Sequence, residues 1–94
     1  MLKEAETLTG FEVVPEALRC GRRCRRRVWH ADAFIYRVAG STLKVDQEPL
    51  VSMFRSGDTL SYGQCIDLYT GTGLIIAWQP DHESILARDW EVLS

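Results

Sequence analysis

The apolar positions of the chain change their period partway along. Phe11, Val14 and Leu18 recur at helical spacing behind Thr9-Gly10-Phe11-Glu12, which fits the S/T-x-x-E capping box, and Gly21 follows as a left-handed stop. The spacing predicts a helix over residues 11–20. Pro15 lacks a backbone donor, so the alternative is a shorter helix with Pro15 as its first residue. Beyond the helix the apolar residues come in short runs, at 33–38, 50–54, 65–69 and 74–78, each bounded by Gly, Ser, Asp or Pro and each read as a strand. Thr70-Gly71-Thr72-Gly73 joins the last two as a tight hairpin with residues at positive φ. Residues 80–87 hold one helical turn with Asp81 as its N-cap, and residues 90–93 read as a short closing strand. One helix ahead of antiparallel strands predicts an α+β fold, an N-terminal helix packed with a mainly antiparallel β-sheet.

A chain of 94 residues has material for one core, so it is read as a single domain over 1–94, with 1–8 as a flexible N-terminal extension. Apolar content of 46% and charged content of 26% exclude a disordered tail, a collagen-like repeat and a bare coiled coil. The longest apolar run, residues 74–78, is far short of the roughly 18–20 residues of a bilayer span, so a soluble intracellular protein with no membrane partner is expected. Cys20, Cys24 and Cys65 are an odd set, which favours reduced thiols over a disulfide framework.

Candidate chemistry begins with these cysteines. Cys20, Cys24 and His30, completed by Cys65 or His82, invite a zinc reading, but the C-x-x-x-C spacing is not the usual knuckle. The preferred reading puts Cys20 toward the core at the helix end and Cys24 in a strand as a small apolar residue, with no metal and no cofactor. His30, Asp81, His82, Glu83 and Ser84 could be assembled into a nucleophile and base, yet no nucleophile elbow, H-E-x-x-H pair or phosphate loop frames them. No catalytic residue is assigned.

Charge is the more informative feature. Net charge is −2, but six of the eleven basic residues fall in Arg19, Arg22, Arg23, Arg25, Arg26 and Arg27, while thirteen acids face the five remaining bases elsewhere. That balance disfavours wrapping of a DNA or RNA polymer and leaves room for a local anion site. Strand alternation would send Arg23, Arg25 and Arg27 to one face and Arg22, Cys24 and Arg26 to the other. One reading is a solvated edge strand guarded by its charges. The other is a nucleotide site, with guanidinium for phosphate and the indole of Trp29 for a base.

The order of further pieces carries a resemblance. A helix ending at Gly21 leads through the arginine run to Arg26, Val28, Trp29 and His30; then come Gly40-Ser41-Thr42, Pro49-Leu50, Ile66-Asp67-Leu68 and Ala77-Trp78-Gln79, closed by Leu86-Ala87-Arg88-Asp89-Trp90-Glu91-Val92. This resembles the second Thoeris anti-defence family of small phage proteins over roughly residues 11–93. The resemblance implies a homotetramer in the cytoplasm of an infected bacterium. It would hold a cyclic nucleotide signal, a cyclic ADP-ribose isomer or a CBASS cyclic di- or trinucleotide, without cleaving it. Residue by residue it implies ligand contacts from Arg26, Trp29 and His30, the last standing where the family has Asn. Asp81 and Ser84 complete the set, from Asp81-His82-Glu83-Ser84 where the family has Ser-Gln-x-Asp. Val28 replaces a Gly and Pro15 a helix residue. Trp78 and Trp90 are read as core residues. The alternatives from other classes are a module that blocks a host protein through its basic strand, and an enzyme that degrades the signal.

Overall fold

In the computed structural model, which describes residues 8–94, a 3₁₀ turn over Phe11–Val13 runs into helix α1, Val14–Arg19. The strands are β1 Cys24–Arg26, β2 Phe34–Val38, β3 Ser41–Lys44, β4 Thr59–Tyr62, β5 Cys65–Tyr69, β6 Ile75–Ala77 and β7 Trp90–Val92, with helix α2, His82–Leu86, before the last. The anticipated N-terminal extension lies, apart from Leu8, outside the described residues. Among the described residues no helix is long and apolar enough to cross a membrane.

The α1 boundary follows Pro15, which sits in the first turn, where a missing donor costs nothing. The capping box does not form. Thr9 instead commits its backbone to Trp90, with Thr9 N–H to Trp90 O at 2.9 Å and the reverse bond at 3.0 Å, and Glu12 lies 3.6 Å from Arg88. The stop at Gly21 does form. Gly21 has φ +82°, its N–H donates to Leu18 O and that of Arg22 to Ala17 O, so the last helical carbonyls are satisfied by the Schellman pattern. Val14, Ala17 and Leu18 face inward, and Cys20, beyond the last helical turn, does not. The expectation of a core-facing Cys20 is therefore corrected: its side chain is exposed, off the stripe of buried residues, with its thiol 3.6 Å from Glu16.

Five strands form one antiparallel sheet in the order β6-β5-β2-β1-β7, and α1 covers one face of it. The register aligns Cys24 with Ile35 and Val92, and Ile35 with Leu68, so alternation places them on the α1 side. Val14, Leu18, Cys24, Ile35 and Trp90 make the buried core. Burial pushes the Cys24 thiol up to about 11, which keeps it an inert hydrophobe. The arginine run is not an edge strand, because β7 pairs along the open side of β1. Arg25 sits opposite Glu91 in that pairing, and Glu91 also receives Arg27 at 2.9 Å, so a cross-strand acid makes the basic strand tolerable inside the sheet.

Two further differences concern residues 39–64. β3 and β4 pair only with each other as a two-stranded arm, closed over the fully buried Val45. The strand expected at 50–54 is a 3₁₀ turn at Leu50–Ser52. Its amides bond locally, Val51 to Gln47 O and Phe54 to Leu50 O, which leaves no ladder for a partner strand, and Met53 and Phe54 are exposed. The β5–β6 hairpin, α2 with its Asp81 cap and β7 stand where the sequence places them.

Candidate functional site

Arg26 leaves β1 on the α1 face, opposite Trp90 of β7. Its side chain is only 11% exposed. Nε donates to Asp89 Oδ1 at 2.9 Å, and Nη1 lies 3.6 Å from Glu83 of α2. Asp89 holds the turn as well as the guanidinium, accepting from Val28 N–H at 3.3 Å through Oδ2 and from Arg27 N–H through its backbone carbonyl. Burial pushes the Asp89 carboxyl up, but the Arg26 hydrogen bond, the Arg26 charge and the Val28 amide together outweigh it and keep it below the usual carboxylate range. Arg26 responds in kind: its hydrogen bond to Asp89 raises its pKa against desolvation.

Asp81 and Ser84 stand beside this pair at the start of α2. Asp81 accepts the Ser84 N–H at 2.8 Å as N-cap, and that bond, aided by the nearby Arg26 charge, holds its carboxyl below the ordinary value. Ser84 is buried, and its carbonyl accepts the indole N–H of Trp90 at 2.8 Å. Arg26, Asp81 and Ser84 thus share one corner, tied to the core through Trp90. One guanidinium there pairs with the carboxylates of Asp89 and Glu83, and its charge is felt by that of Asp81.

Trp29 and His30 occupy the turn after β1, which closes with Trp29 N–H to Arg26 O and Ala33 N–H to His30 O. Arg25 stiffens it by donating to the carbonyls of Trp29 and His30. The Trp29 ring is partly buried and packs edge-on with Trp90 at 5.3 Å and Trp78 at 6.2 Å. His30 points instead to the β5–β6 hairpin, accepting Asp32 N–H at Nδ1 and covering Gly71, where a Cβ would come within 2.6 Å of that nitrogen. Gly71, at φ +92°, therefore serves both the turn and the packing of His30. Trp90 is a core residue as expected, and Trp78 packs partly buried against it.

Asp89 and Glu83, the direct partners of Arg26, were not among the residues anticipated for the site. A second feature lay outside that set: a groove of about 500 Å³ between α1 and the β5–β6 edge, bordered by Arg19, Arg37, Gln64, Trp78 and Gln79. The opposite face of the sheet carries an aromatic cluster, with Phe34 5.5 Å from Tyr69 and 5.8 Å from Tyr36, and Arg23 5.0 Å above the Phe34 ring. Among the described residues no group of three His, Cys, Asp or Glu side chains could hold a metal ion.

A family model described as Tad2-like, the Thoeris anti-defense 2-like domain, matches residues 10–93. No curated protein matches the chain.

Proposed function

The chain belongs to the Thoeris anti-defence 2-like family, and on that premise we propose that it binds and sequesters a cyclic nucleotide immune signal without cleaving it. The signal is a cyclic ADP-ribose isomer or a CBASS cyclic di- or trinucleotide. The observation that carries the reading is the family match across residues 10–93, which takes in Arg26 and Trp29.

The corner around Arg26 supplies the chemistry. Asp89 fixes the Nε edge of the guanidinium, and Glu83, whose side chain is 78% exposed, lies loosely on the Nη1 side. A ligand phosphate takes the place of Glu83, since an exposed acid held at 3.6 Å leaves at little cost. Trp29 offers its accessible indole surface to a base, His30 adds a ring that can donate or accept, and Asp81 and Ser84 border the ligand from α2. Retention works by mass action once binding sites exceed signal.

The assembly is a homotetramer. Leu74, Ile75 and Ile76 on and beside the edge strand β6 are 45–56% exposed and carry no charge, which suits a buried contact between copies. Titration calorimetry against a panel of cyclic ADP-ribose isomers and cyclic dinucleotides tests the function. Saturable binding to at least one, weakened about tenfold or more by Arg26→Ala, is the expected result. No binding across the panel refutes it.

The aromatic cluster of Phe34, Tyr36 and Tyr69 beside Arg23 favours a second reading, a module that blocks a host protein through this face. Tyr36→Ala with Tyr69→Ala separates the two: loss of anti-defence activity with intact ligand binding would select it.

A further inference from the structure

We infer that the groove between α1 and the β5–β6 edge is itself a binding site for a nucleoside phosphate, with phosphate on Arg37 and the base against Trp78. The inference stands on the groove alone and involves none of the residues of the Arg26 corner.

The charges differ in kind between the two places. Arg25, Arg26 and Arg27 are each paired with a carboxylate, whereas Arg37 forms no ion pair among the described residues and donates only to Gln64 Oε1, at 3.1 Å. Arg37 therefore presents an uncompensated guanidinium. Among the described residues no acid borders the groove, in a chain that carries thirteen of them. Three acids adjoin its lining in sequence: Glu16 pairs with Arg19 at 3.1 Å, Asp81 accepts Ser84 N–H at 2.8 Å, and Asp67 alternates to the opposite face of β5. The Arg19–Glu16 pair is solvent-exposed and one helical turn long, a kind that contributes little, so Arg19 can turn to an incoming phosphate.

The strand register sets the spacing. Arg37 is directly opposite Ile66, and Trp78 donates its backbone N–H to Ile66 O at 3.0 Å, so the three residues form one row across β2, β5 and the end of β6. Alternation puts that row on the α1 face, with guanidinium and indole on either side of Ile66 and their backbones about 10 Å apart. A nucleotide has the same layout, an anion and a planar ring held apart by a sugar. Gln64 and Gln79 add amides able to meet the polar edge of a base. The volume of about 500 Å³ falls within the range of small-molecule sites, roughly 300–1,000 Å³.

The test is titration of the whole chain with AMP, with adenosine and inorganic phosphate as its fragments. AMP should saturate one site per chain and bind at least about tenfold tighter than either fragment. Arg37→Glu should lower AMP affinity by about tenfold or more, Arg37→Lys by less, and the charge-matched Arg55→Glu, at an exposed loop residue outside the groove lining, not at all. Arg37 is exposed and its side chain hydrogen-bonds only Gln64 among the described residues, and thermal melts of each variant check that the fold is kept. Equal AMP affinity in the wild-type and Arg37→Glu chains, equal affinity for AMP and adenosine, or no saturation would overturn the inference. AMP binding without retention of any cyclic nucleotide upholds the groove and removes the proposed sponge. Cyclic nucleotide retention without AMP binding does the reverse.

Discussion

Replacing Asp89 by Ala removes the acceptor around which the Arg26 corner is built. The Arg26 side chain is 11% exposed and that of Asp89 23%, so the variant leaves a nearly buried guanidinium with Glu83 at 3.6 Å as its remaining acid partner. It also leaves Val28 N–H without its acceptor. Breaking one partner of a well-buried ion pair costs about 3–5 kcal/mol. Here Glu83 can swing in and water reaches part of the site, which lowers the expected loss to about 2–3 kcal/mol. For a domain of this length that is a fall in melting temperature of about 10–20 °C. Circular dichroism melts and urea titrations read the change directly. Arg26→Met added to Asp89→Ala should recover part of the loss, because the pair fails as a unit. A destabilisation below about 0.5 kcal/mol for Asp89→Ala would show that the pair is an ornament of the surface and refute the reasoning.

Trp90→Ala should cost about 3–5 kcal/mol in chemical denaturation, since it empties the centre of the core and strips the Ser84 carbonyl of its indole donor. Trp29→Ala, partly buried against Trp90 and Trp78, should cost less than that in stability while also weakening cyclic nucleotide binding; unchanged affinity per folded chain in calorimetry would confine Trp29 to packing. Asp89 and Asp81 both have lowered folded-state pKa values, so their contribution is full above the unfolded carboxyl value near pH 4 and is lost as pH falls through the folded values. Melting temperature should therefore drop steeply below about pH 4 in the wild-type chain and less steeply in Asp89→Asn. If the proposed tetramer forms through β6, Ile76→Lys should shift the mass in light scattering to smaller species, and an unchanged mass would remove β6 from the interface.

Local signals in the sequence were read correctly where the physics is local. Gly21 terminates α1 because no other residue takes φ +82° so readily, and Asp81 caps α2 because its carboxylate reaches an amide three residues on. Pro15 decided the helix start against the capping box, whose Thr9 was claimed by a strand 81 residues away. The β3–β4 arm was illegible, since Ser41, Thr42, Ser61 and Tyr62 are exposed and show no apolar alternation. Residues 50–54 mimic a strand because a short apolar run has no readable period. The site was legible by residue type and not by state. Arg26 and Trp29 stand out in the sequence, but the neutralisation of Arg26 by Asp89, 63 positions later, depends on β7 pairing with β1, and so does the contrast with unpaired Arg37.

Heating the purified protein after exposure to cyclic ADP-ribose isomers and cyclic dinucleotides, with unbound material first removed, bears most directly on the proposed sequestration. Mass analysis of what denaturation releases should find the intact cyclic molecule in near-stoichiometric amount. Recovery of linear ADP-ribose or a nucleoside monophosphate, or release of nothing at all, would contradict it.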